Sequence, residues 1–327
     1  MIARRLRSLI LAVAIGAVWP SLDTCADPPP GVSRIGVLTP EGQTPNEEGL
    51  RAGLSELGYI EGKNLTVEWQ RYAQSDDSLR SAAEDLVRLR VDLIVATGTQ
   101  AARAALSATS TIPVVFVSAD PLASGLVVSL AHPGANATGV SGQSADLMAK
   151  RLQLLRRIAP RTRHVTLLVN PASPLHAVVL KETQKAGRKL HIDIITPLSA
   201  RSADELDVAL HGLQRNEGHA FVVSSDVLFI VNKDKIAEAV RKARLPALVP
   251  TRDYRGDGVL MSYGPSLSWM LQRVAVYIDK ILGGARPGDL PVEQASKLEL
   301  IIDLRVAREL GLKVPEDVLL SADEVIR

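Results

Sequence analysis

Cys25 is the only cysteine in the chain, which excludes an internal disulfide and any multi-thiolate metal site. Aromatic residues are also scarce, at 3%, so a buried core has to be assembled from Leu, Val, Ile and Ala. Neither sign of charge dominates, since 38 Lys and Arg stand against 36 Asp and Glu. A nucleic-acid or anionic-membrane surface needs a basic excess, and this chain has none. The short motifs of common catalytic and nucleotide sites are missing too: no G-x-S-x-G, H-E-x-x-H, G-x-x-x-x-G-K-[ST] or G-x-G-x-x-G occurs. The six histidines are scattered, and none pairs at metal-ligand spacing. No cofactor or metal is expected, and no enzyme.

What is present begins with a leader. Arg4, Arg5 and Arg7 precede an uncharged apolar run over residues 9–19, too short to span a bilayer comfortably. Pro20 and Ser21 break the run, and Thr24-Cys25-Ala26 offers small residues for cleavage before Asp27. Residues 1–26 therefore read as a signal peptide and 27–33 as an exposed linker. Cys25 as a lipid attachment site is the lesser alternative, because Asp23 and Thr24 fit poorly before it. Cleavage removes three of the basic side chains, one acidic one and the only thiol, which leaves the two signs balanced. The expected location is the periplasm.

Beyond the linker, short β-rich runs alternate with stretches of helical periodicity. Residues 35–38, 65–69, 93–96 and 114–117 read as strands, with helices over 47–57, 79–89 and 100–108. A second series has strands at 165–169, 192–195, 221–223 and 247–249 and helices at 178–188, 203–213 and 233–243. Continuous apolar strands alternating with helices imply parallel sheets covered on both faces. A shift of 127 residues aligns a segment of one series with a segment of the other without a gap, placing Ser75 on Ser202, Leu79 on Leu206, Val95 on Val222 and Thr99 on Asp226. The fold class expected is α/β, with two Rossmann-like lobes. Asp76-Asp77 reads as a helix-starting pair, and Trp69 and Tyr72 as core or rim.

In open parallel sheets, ligands bind beyond the carboxyl ends of the strands. Those ends carry Thr39, Thr97-Gly98-Thr99, Ser118 and Asp120 in the first series, and Asn170-Pro171-Ala172-Ser173 and Ser224-Ser225-Asp226 in the second. A helix starting near Gln100 would offer free N–H groups to a carboxylate. Asp226, opposite, would accept from an ammonium.

Longer stretches carry a family likeness. They are R-I-G-V-L-T-P (34–40), G-L-x-E-L-G-Y-x-E-G-K-N (53–64), V-D-L-I-V-A-T-G-T (91–99), S-T-I-P-V-V-F-V (110–117), L-A-H-P-G-A-N-A-T-G (130–139), N-P-A-S (170–173), L-M-S-Y-G-P (260–265), V-Y-I-D-K-I-L-G-G-A-R-P-G-D-L-P-V-E-Q (276–294) and A-D-E-V-I (322–326). With them the chain resembles the substrate-binding family of ABC transporters that includes the tryptophan- and tyrosine-type periplasmic binding proteins. The resemblance implies a type I binding-protein fold with a three-crossing hinge. Lobe 1 would hold 31–140 and 264–290, and lobe 2 would hold 141–263 and 291–327. The crossings would fall near 138–141, 262–264 and 291–294. The cleft positions it implies are Thr39, Thr97, Thr99, Ser118, Asp120, Asn170, Ser224, Asp226 and Tyr263. The partners implied are a small ligand, an amino acid or related carboxylate, and a membrane permease with its cytoplasmic ATPase. A ligand-sensing receptor for a membrane signalling protein is the alternative on the same fold. Val169 stands where many members carry Trp before the N-P pair.

The leader yields a direct expectation: protein recovered after export has a mass that starts at or within a few residues of Asp27. A retained N-terminus, or a diacylglycerol increment on Cys25, in intact-mass analysis contradicts it.

Overall fold

The computed structural model describes residues 31–41, 44–73, 75–195, 197–214, 216–254 and 258–327. The signal peptide and most of the linker lie outside them. The first half reads β1 (Ser33–Pro40), α1 (Thr44–Glu56), β2 (Leu65–Tyr72), α2 (Asp76–Arg88), β3 (Leu93–Thr97), α3 (Thr99–Ala108), β4 (Val114–Ser118) and β5 (Ala137–Ser141). The chain then forms α4 (Leu147–Ile158), β6 (His164–Val169), α5 (His176–Leu190), β7 (Asp193–Ile194), β8 (Leu198–Ser199), α6 (Ala203–His211), β9 (His219–Val223), α7 (Val227–Val231), α8 (Lys233–Ala243), β10 (Ala247–Val249) and β11 (Met261–Pro265). It ends with α9 (Leu267–Leu282), β12 (Glu293–Gln294), β13 (Leu298–Asp303), α10 (Leu304–Glu309), α11 (Glu316–Leu320) and β14 (Glu324–Ile326).

The strands fall into two sheets, ordered β12-β5-β4-β3-β1-β2 and β14-β13-β11-β10-β9-β6-β7, with β8 also on β6. Among the described residues only the β11–β13 pairing is antiparallel. The central strands β3, β4, β5, β9 and β10 are buried almost throughout, because helices cover both faces of each sheet. Each lobe therefore has two apolar layers, one on either face of its sheet. Among the described residues no helix is long and apolar enough to cross a membrane.

The duplication read from the sequence has a physical counterpart at the helix caps. Ser75 accepts a hydrogen bond from the Ser78 amide at the start of α2, and Ser202 accepts one from the Glu205 amide at the start of α6. Each helix carries two acidic residues in its first turn, Asp76 and Asp77 in one and Asp204 and Glu205 in the other, placed to complement the dipole. Leu79, Ala82, Ala83 and Leu86 then bury one face of α2.

The hinge differs from the expected boundaries by a few residues at each crossing. Residues 138–141 are not a crossing but the body of β5, paired with β4 and β12. Gly264 and Pro265 belong to the second sheet, opposite Glu299 and Leu298. Glu293 and Gln294 belong to the first, beside Val140 and Ser141. The family resemblance implied crossings there, but strand pairing continues through these residues. The chain passes between sheets at 142–146, at Ser266 and at 295–297. These segments bond to one another: Gln143 Nε2 donates to Ala295 O at 3.1 Å, and Ser266 N to Lys297 O at 3.0 Å.

Gly139 in β5 has Phe116 of β4 directly opposite, and a Cβ on it would lie 2.1 Å from the Phe116 carbonyl oxygen. Only glycine fits there. Gly139→Ala is expected to cost about 3 kcal/mol or more in urea unfolding, the upper end of overpacking effects. A loss below about 1 kcal/mol would mean that the two strands separate freely.

Candidate functional site

The carboxyl ends of both sheets face a cavity of about 100 Å³ between the lobes. At roughly 10–15 Å³ for each water centre, it has space for about seven to ten waters, or one small solute.

Lobe 1 contributes the N-terminus of α3. Gly98 is its N-cap, at φ +113°, and supplies no capping side chain. The first-turn amides of α3 are therefore left to the cavity, where the positive end of the helix favours an anion. Thr99 and Ser118 flank them with hydroxyls 2.9 Å apart, and the Thr97 hydroxyl donates to Leu38 O at 3.2 Å. All three are buried and line the cavity.

Lobe 2 contributes Asp226, whose φ of −148° makes it an extended N-cap for α7. One carboxylate oxygen accepts from Leu228 N at 3.0 Å and from Asn170 Nδ2 at 3.3 Å. The other accepts from Gln100 Nε2 at 3.2 Å, across the cleft. Burial pushes the Asp226 carboxyl above the usual aspartate range, against the lowering effect of Leu228, Asn170, Gln100 and Ser173. The lobes also touch at Gly98, where a Cβ would lie 2.8 Å from Val227 Cγ2. This is a closed arrangement.

Much of the rest of the wall is apolar. Leu267, Met270 and Leu271 of α9 come from lobe 1, and Leu175 and Ile230 from lobe 2. Ser144, Thr251 and Pro265 form the hinge side. Among the described residues no aromatic ring lines the cavity.

Of the nine candidates, Thr97, Thr99, Ser118 and Asp226 line the cavity. Asn170 stands behind Asp226 as its donor, with its own oxygen held by Ala172 N at 2.9 Å. Thr39 and Ser224 are buried beside lining residues Pro40 and Ser225 but are not themselves on the wall. Asp120 turns away and caps its own loop through Ala123 N at 2.9 Å. Tyr263 lies in β11 against the lobe-2 core, its carbonyl taken by Arg151. Trp69 packs on the lobe-1 core beside the Arg51 guanidinium, 5.0 Å from its ring centre, and does not reach the cavity. Val169 is buried in the lobe-2 core and does not line the cavity either. Gln100 escaped the sequence reading, although its place in the first turn of α3 was available as a signal. The α9 wall left none, because its apolar spacing is that of any core helix.

The family profile described as ABC transporter substrate binding protein matches residues 35–326, nearly all of the described chain. The chain belongs to this family. It is a solute-binding protein, not an enzyme. A tyrosine-binding protein from Clostridioides difficile is 24% identical over 280 residues, covering 85% of this chain and 79% of that one. A conserved domain protein from Vibrio cholerae superimposes with a TM-score of 0.84 at 26% identity, over 90% of this chain and 99% of the other. An ABC domain from Streptococcus pneumonia in complex with L-Trp gives the same TM-score at 23% identity, over 90% and 100%. The fold is that of type I periplasmic binding proteins.

The Gly98–Val227 approach leaves no room for a Cβ at residue 98 in this closed arrangement. Spin labels on Val128→Cys in lobe 1 and Val208→Cys in lobe 2 sit at exposed positions. Gly98→Ala is expected to lengthen the distance between them, and adding Val227→Ala to shorten it again. An unchanged distance in Gly98→Ala would show that this contact does not limit closure.

Proposed function

We propose that the protein is the periplasmic receptor of an ABC importer and that it binds a zwitterionic amino acid with an apolar side chain. The observation that carries this reading is the opposition, in one cavity, of an uncapped helix N-terminus and a buried carboxylate. The ligand carboxylate meets the α3 amides with the Thr99 and Ser118 hydroxyls, and its ammonium takes the Asp226 oxygen that Gln100 otherwise holds. The side chain lies along Leu267, Met270 and Leu271, where a polarizable thioether adapts to aliphatic and aryl groups alike. The tyrosine-binding relative supports the amino-acid class. Polar contacts come from both lobes, so the ligand favours the closed state, which is what the permease would recognise.

Asp226→Asn separates this role from capping, because Asn caps a helix about as well as Asp. Stability should change by about 1 kcal/mol or less, because Asn keeps a side-chain oxygen for the Leu228 amide. Affinity for L-tyrosine, L-leucine or L-methionine should fall by about 2–5 kcal/mol in calorimetric titration. N-acetylated and esterified analogues should bind as weakly to the wild type. The pH dependence follows from the raised pKa of Asp226. As pH falls through that raised value the carboxylate is lost and affinity drops, at a pH where ordinary aspartates are still ionised. The unliganded protein changes the other way: its folded pKa exceeds the unfolded one, so the Asp226 contribution to stability is fully present at low pH and lost as pH rises. Unaltered affinity of Asp226→Asn for every binding amino acid would remove Asp226 from the ligand site.

A further inference from the structure

Arg151 lies in α4 with no solvent exposure at all, and no carboxylate among the described residues bonds to it. Its Nε donates to Tyr263 O at 2.9 Å, Nη2 to Pro250 O at 3.4 Å, and Nη1 to Ser144 O at 3.5 Å and Met148 Sδ at 3.4 Å. Burial pushes the guanidinium pKa down to about 10, which still leaves it charged at neutral pH. A full positive charge held inside a protein by carbonyl dipoles alone is costly, and an apolar side chain of like size often serves stability better.

The three carbonyls belong to segments that are far apart in sequence but converge on the hinge. Ser144 lies in the first crossing, Pro250 directly follows β10, and Tyr263 lies in β11 just before the second crossing. Each segment also supplies the hinge side of the ligand cavity: Ser144 itself, Thr251 next to Pro250, and Pro265 two residues after Tyr263. The packing is close enough that a Cβ on Gly264 would lie 1.9 Å from Pro250 O and 3.0 Å from Arg151 Nη2. A guanidinium is the one side chain whose fixed planar fork can hold three carbonyls at once.

We infer that Arg151 is a positioning residue that fixes the hinge wall of the ligand cavity and thereby the axis on which the lobes close. It touches no ligand. Its effect on binding, though not on the hinge, rests on this cavity being the solute site.

Arg151→Lys keeps the charge and loses the fork, whereas Arg151→Met keeps the length and loses both. In the ligand-free protein, either variant is expected to speed amide exchange at least tenfold over 142–146, 250–252 and 262–266. The strands of the first sheet should be unaffected. Labels at Val128→Cys and Val208→Cys should report a broadened distance distribution. Well below the melting temperature, affinity for L-tyrosine or L-leucine should fall at least tenfold. Should Arg151→Lys fail to fold, Arg151→Met carries the test. Wild-type exchange at the hinge, or a uniform acceleration across both lobes, would overturn the inference, because a merely stabilising residue acts globally. Hinge loosening in a protein whose wild type binds no amino acid leaves the inference standing and removes the proposed ligand class instead.

Discussion

Two helix N-termini meet across the cleft, and their shared positive polarity is the constraint on which the site depends. α3 starts at Thr99 and α7 at Val227, and the two starts come within van der Waals contact through Gly98. Like ends repel unless something negative stands between them. Lobe 2 supplies its own anion in Asp226, which satisfies α7. Lobe 1 supplies none, because its cap is glycine. One end is thus neutralised and the other left open, and a solute carrying both charges fits that difference. Thr99 and Asp226 occupy corresponding places in the two series, each at the start of a helix that follows a parallel strand.

The hinge turns this electrostatic pairing into motion. Three crossings divide the wall between the lobes, and α9 returns to pack on α1 in the first lobe after the second has been built. The apolar wall and the α3 amides therefore move together, while Asp226, Leu175 and Ile230 move with the other lobe. Gln100 bridges them directly. A solute that replaces this bridge has to offer Asp226 more than an amide hydrogen, which an ammonium does through charge.

Much of this was legible in the sequence, where local chemistry and periodicity agree. Buried parallel strands announce themselves as unbroken apolar runs, and Ser75 and Ser202 mark helix starts because few residues cap so well. The strand-end rule located Thr97, Thr99, Ser118 and Asp226. It could not rank them against Thr39, Asp120 and Ser224. Those have the same residue types at the same kind of position, and only the side-chain direction separates them. Asp120 turns back on its own loop, and Ser224 yields its place to Ser225. Nor could periodicity tell that α9, an amphipathic helix like the others, shows part of its apolar face to a cavity. The hinge, placed by family resemblance alone, fell a few residues off, because the ends of strand pairing cannot be read until the partner strands are known.

On the proposed reading, burial of Asp226 would make the site selective as well as attractive. Its carboxylate is almost out of water, and the Tyr72 and Tyr254 hydroxyls nearby have no protein partner among the described residues. Burial first, and then the Asp226 charge, raises the pKa of both tyrosines, so neither can supply a second anion. A neutral solute would leave the carboxylate without a cation in the closed cleft, and an anionic side chain would add repulsion to the same cavity. Rejection of both follows from unpaired charge in a low-dielectric space, without any steric exclusion. The same burial that raises the cost of the empty carboxylate enlarges the gain when an ammonium reaches it. Discrimination and closure are therefore one free-energy difference, set by how completely Gly98 and Val227 allow the lobes to exclude water.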